Sequence, residues 1–188
     1  MAKKTKPIPQ AEHLANESKD LYKIINEESE LACALIVGSS LEKATTALVG
    51  KHLVDAETAR ELLSDTGPLG TFRSCANIAY CLGLISKGMF KNLVLLGEIR
   101  NDFAHSNIAV GFDNRAVSEK CRSLTFPAVG HHVVVGGGKP TPLSEVADTP
   151  RSRFTVVGTL TFNGLLMRAM EETHKERRAD MWDRPGGN

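Results

Sequence analysis

Apolar residues recur at three- and four-residue spacing along most of the chain. From about Glu17, the positions Leu21, Ile24, Ile25, Leu31, Ala32, Leu35 and Ile36 trace one helical stripe. Leu41, Ala44, Leu48, Val49 and Leu53 continue it. Gly38-Ser39-Ser40 interrupts the pattern and predicts a kink or a point of close helix packing. The small residues Ala32, Ala34, Gly38, Ser39 and Ser40 make this helix the expected core wall or dimer contact. Asp55 stands where an N-cap belongs, ahead of a short helix over 56–63.

Residues 64–70, SDTGPLG, end that run, because a residue before Pro is pushed out of the helical region. Gly67, Pro68, Leu69 and Gly70 predict a tight, strained turn that sets the angle between two helices, with Leu69 buried. A helix over 71–84 should turn Phe72, Cys75, Ala76, Ala79 and Leu82 inward. The next, over 89–104, should use Phe90, Leu93, Leu96 or Gly97, and Phe103. A weaker helical pattern covers 114–123, and a last helix covers 152–178. Between them, residues 127–150 are punctuated by Pro and Gly, and residues 131–135 (HHVVV) are their only strand-like run. A long loop or a small hairpin is expected there. Strands do not alternate with helices, which excludes a Rossmann or P-loop architecture. The pattern therefore predicts an all-α single domain of about six helices over 13–178, with a flexible arm over 1–12 and a flexible tail over 179–188.

Composition narrows the function. A length of 188 residues suits one domain. Aromatics at 5% lean further toward helix than sheet. A formal net charge of +1 excludes a polybasic binder of nucleic acid or membrane. The four cysteines form no CxxC pair and read as inert thiols in a reducing compartment. The N-terminus has no apolar signal core, and no stretch of about 18 apolar residues appears. A cytoplasmic protein without a membrane span is the expectation.

Most candidate motifs fail on chemistry. Gly67-Pro68-Leu69-Gly70 lacks the lysine of a phosphate loop, and Gly136-Gly137-Gly138-Lys139 lacks its spacing. His131 and His132 are adjacent in an extended run and point to opposite faces, so neither a metal nor a cofactor is expected. The best helix-turn-helix candidate, 41–63 with Gly50 at the turn, offers only Arg60 as a base reader.

The sharpest local signal is residues 98–105, EIRNDFAH. On a helix, Glu98, Asn101 and His105 share a face, while Phe103 anchors the other side. Arg100 can swing toward His105 at the helix end. Arg100, Asn101 and His105 would then suit phosphodiester cleavage, with His as acid or base and Arg on the phosphate. Glu98 and Asp102 flank them as binding candidates. The structural alternative pairs Arg100 with Asp102 or Glu98 and sets His105 as a C-terminal helix cap.

The run 62–106 resembles the mannitol operon repressor (MtlR) family. It carries Leu-Leu before an acidic residue, then GPLG, a helix ending LGLI, and a second helix ending in Arg, four residues, His. The resemblance implies an all-helical transcriptional regulator, without an obvious DNA-binding motif, that acts on a sugar-alcohol operon. Its implied partner is a transcription factor or other protein, with DNA contact indirect. The segment 127–150 departs from that pattern. Residues 100–105 also resemble the R-x4-6-H motif of HEPN-type helical domains. That likeness implies a metal-independent ribonuclease of toxin type, with an antitoxin partner, RNA as substrate and a site shared across a homodimer. Arg100, Asn101 and His105 would be its catalytic residues.

Overall fold

The computed structural model describes residues 7–105, 110–127, 132–133, 139–172 and 174. Among them lie nine helices: α1 (Ala11–Glu17), α2 (Leu21–Glu27), α3 (Glu30–His52), α4 (Glu57–Leu62), α5 (Phe72–Cys81), α6 (Lys87–His105), α7 (Arg115–Ser123), α8 (Leu143–Val146) and α9 (Pro150–Glu171). One antiparallel hairpin pairs β1 (His132–Val133) with β2 (Thr141–Pro142), so the 127–150 segment takes the hairpin alternative. The protein is all-α. It has more helices than the six expected: α1 starts within the expected arm, the N-terminal stripe is cut into α2 and α3, and α8 forms within the 127–150 segment.

The cuts fall where the sequence reading did not put them. The Ser18 amide closes α1 on the Leu14 carbonyl, and α2 begins after Asp20. Ser29 caps α3 by accepting from the Ala32 amide at 3.2 Å. Helix α3 then runs unbroken through Gly38-Ser39-Ser40. Gly38 serves close packing, since a Cβ there would sit 2.5 Å from Arg100 Cγ on α6. The expected arm over 1–12 is also too long. Ile8 packs over Gly50, and α1 starts at Ala11, which is buried.

Helix α3 is the centre of the bundle, packed most extensively against α9 and then against α6 and α5. Near its C-terminal end four consecutive residues, Ala47, Leu48, Val49 and Gly50, are buried. A helix buried at successive positions needs no continuous polar stripe. By length and composition alone, α3 is long and apolar enough to cross a membrane, and just over half of its most apolar window is buried inside the bundle. On α9, Gly158 brings the two backbones together: a Cβ there would lie 2.8 Å from Val37 Cγ1. Helix α9 starts two residues earlier than expected, with Pro150 in its first turn and a reciprocal cap between Thr149 and Ser152. It ends at Glu171, well short of 178.

Three phenylalanines tie the far side together. The Phe112 ring lies 4.9 Å from Phe103 and 5.2 Å from Phe154, centroid to centroid, which joins α6, the turn before α7 and α9. Not every apolar position in the N-terminal stripe is core. Leu21 and Ile25 are buried, but Ile24, Leu31 and Leu35 are 42%, 48% and 38% exposed. Leu82, expected inward, is exposed as well.

Helix α5 is framed by two glycine turns. In the first, the Leu69 amide donates to the Leu62 carbonyl at 2.9 Å and the Gly70 amide to Gly67 at 3.0 Å. Gly67 and Gly70 do not have positive φ, so the expected backbone strain is absent. Their requirement is steric: a Cβ at Gly67 would fall 2.2 Å from the Glu61 carbonyl oxygen, and one at Gly70 2.1 Å from that of Ser64. Leu69 is half-buried rather than buried. The second turn holds the one positive φ among the described residues, 73° at Gly83. There the Gly83 amide donates to Tyr80 and the Leu84 amide to Ala79, a Schellman closure that needs the left-handed conformation.

Candidate functional site

Helix α6 buries Leu93, Leu96, Ile99 and Phe103, together with the polar Asn92. It begins where the Ser86 hydroxyl accepts from the Met89 amide at 3.2 Å. Near its middle, Asn92 Nδ2 donates to the Thr125 carbonyl and Asn92 Oδ1 accepts from the Thr125 amide, at 2.8 and 3.0 Å. That pair of bonds fixes α6 against the segment leaving α7.

The candidate residues divide between two depressions. Glu98, Arg100 and Asn101 line a cleft between α3, α5 and α6, with Glu42, Arg73 and Phe72 on its other walls. Asn101, Asp102 and His105 line an open hollow beside α7, together with Val110 and Lys120. Asn101 belongs to both. Arg100 lines the first and His105 the second, and neither depression holds both.

Arg100 is a held side chain. Its aliphatic stem lies over Gly38, Nη1 donates to Asn101 Oδ1 at 2.9 Å, and Nη2 stands 3.5 Å from Glu42 Oε2. The expected partners Asp102 and Glu98 do not bind it. Asp102 instead accepts from Lys120 Nζ at 2.6 Å, which anchors α7 to α6. Glu98 has no hydrogen bond or ion pair among the described residues. His105 is exposed at the end of α6 and likewise has no such partner.

Glu42 and Lys120 were missed in the sequence because their contacts are tertiary. A signal for Glu42 did exist: it lies one helical turn after Gly38, and so on the same face of α3 that Gly38 opens to α6. In the helix-turn-helix candidate the turn falls after His52 and not at Gly50. Gly50 lies inside α3, and Arg60 is taken up by Asp55 at 2.8 Å and Glu57 at 3.4 Å. Asp55 therefore pairs with Arg60, and Ala56 holds the N-cap position expected for Asp55.

Among the described residues no group of three His, Cys, Asp or Glu side chains is placed to hold a metal. His131, residues 134–138 and the tail from 175 lie outside the described residues. The cysteines are all unbridged. Burial pushes the thiols of Cys33 and Cys75 up to about 11 and that of Cys121 up to about 12, which leaves them protonated and unreactive at neutral pH. Cys81 is exposed.

No protein-family model, curated protein or solved structure matches the chain.

Proposed function

We propose that the chain is a cytoplasmic regulator of the MtlR-like kind, which represses a sugar-alcohol operon by docking to a protein partner. The observation that carries this reading is the engagement of Arg100. A side chain whose stem is seated on Gly38 and whose guanidinium is answered by Glu42 and Asn101 acts as a strut between α6 and α3, not as a free phosphate clamp. The pattern that suggested cleavage chemistry then has a structural use. The resemblance of residues 62–106 supplies the regulatory class. Leu31 and Leu35, exposed one turn apart on α3, add an apolar face of the kind a partner helix covers.

A reporter driven by a mannitol-inducible promoter tests it. Expression of the chain should lower reporter output, and Leu31→Arg with Leu35→Arg should restore output without loss of soluble protein. Unchanged output with and without the chain would overturn the regulatory reading.

A second reading is a HEPN-like, metal-independent ribonuclease acting as a homodimer. What favours it is His105, exposed and without a partner among the described residues, with a second subunit left to bring an arginine to it. RNA incubated with the protein in EDTA should then acquire 2′,3′-cyclic phosphate ends, and His105→Ala should remove that activity. RNA left intact at high protein concentration would end this reading.

A further inference from the structure

We infer that the cleft between α3, α5 and α6 binds a small zwitterion of the α-amino-acid class with an apolar side chain, oriented by Arg73 and Glu98. The cleft encloses about 440 Å³. That lies within the range of small-molecule sites, about 300–1,000 Å³.

Its walls are set rather than loose. A Cβ at Gly97 would lie 2.8 and 3.0 Å from Cε1 and Cδ1 of Phe72, so an edge of the ring is seated on the backbone of α6. Gly38 seats the stem of Arg100 on α3 in the same way. Glycine is unfavourable inside a helix. Here two interior helix glycines each fix a side chain that lines the same cleft.

Charge selects the ligand. The residues lining the cleft include two arginines, Arg73 and Arg100, and two glutamates, Glu42 and Glu98. Arg100 and Glu42 face each other at 3.5 Å. Arg73 and Glu98 have no hydrogen bond or ion pair among the described residues. The unanswered charges are therefore one cation on α5 and one anion on α6. A phosphate would meet both carboxylates, and a polyamine would meet both guanidinium groups. A ligand with one carboxylate and one ammonium matches Arg73 and Glu98 and leaves no charge over. Phe72, Leu93 and Val94 supply an apolar surface for its side chain. The assignment is independent of the regulatory and ribonuclease readings.

Calorimetric titration and thermal shift of the full chain test it, with L-leucine, L-methionine and L-phenylalanine as probes. Leucinol removes the carboxylate, 4-methylpentanoate removes the ammonium, and mannitol serves as a neutral polyol. At least one amino acid should bind saturably, with leucinol and 4-methylpentanoate at least tenfold weaker than leucine or without detectable binding. Arg73→Ala and Glu98→Gln should keep the unliganded melting temperature, because both side chains are exposed and unpartnered, and should weaken binding at least tenfold. Three outcomes overturn the assignment: no amino acid binds at tens of millimolar, mannitol binds more tightly than every amino acid, or both variants bind with unchanged affinity.

Discussion

The two depressions on either side of Asn101 are built in opposite ways. In the cleft, Arg100 is seated on a glycine, hydrogen-bonded and faced by a carboxylate from another helix. In the hollow, His105 stands exposed and without a partner among the described residues, while its neighbour Asp102 is taken by Lys120. Residues five apart on one helix thus belong to different mechanical classes. One side chain braces the bundle, and the other is free to meet something outside it. Proximity in a motif does not make two residues one site.

Substitutions can break this contrast or sharpen it. The largest effect is expected from Ile99→Ala, which empties the buried face beneath both depressions and should cost about 2–5 kcal/mol in urea unfolding. A loss under 1 kcal/mol would mean that α6 is not braced from within. Gly38→Leu should follow, at about 1–3 kcal/mol, because its side chain has to displace the Arg100 stem. Combining it with Arg100→Ala should recover part of that loss; strict additivity of the two would deny that they touch.

Arg100→Ala alone should cost about 1 kcal/mol, mostly from lost packing of its stem, since a partly exposed ion pair contributes little. Lys120→Ala should cost less than about 1 kcal/mol, and its effect should fade in high salt. His105→Ala should leave the melting temperature where it was. A clear destabilisation there would erase the contrast and make His105 a helix cap after all.

The sequence carried the helical class and the position of α6 to within two residues, because period-3.6 patterning reports burial directly. It also marked Gly38 as a place of close approach. It could not mark what approaches, since Arg100 and Glu42 meet only once α3 and α6 are packed. The exposed Ile24, Leu31 and Leu35 show the same limit from the other side. A stripe says which residues could be buried together, whereas the number of covering helices decides which ones are. The glycines of the GPLG turn were legible as a turn but not in their cause. Crowding by the Glu61 and Ser64 carbonyls leaves no trace in a one-dimensional pattern, and the residue that needs a left-handed backbone, Gly83, sits in the LGLI that was read only as a helix end.

One contact has a consequence for the order in which the chain is made. The guanidinium of Arg151, at the start of α9, donates to the carbonyls of Ile25, Asn26 and Glu28 and so closes the end of α2. The first of these groups lies 126 residues upstream. At a synthesis rate of about 5–20 residues per second, α2 and the apolar α3 leave the ribosome on the order of ten seconds before the helix that covers them. For that interval α3 has no α9 to pack against, and the nascent chain carries a long apolar helix that lacks its most extensive contact. Cells that make this protein should therefore hold its N-terminal half with a ribosome-associated chaperone, and a chain truncated before residue 150 should aggregate rather than accumulate as a smaller bundle.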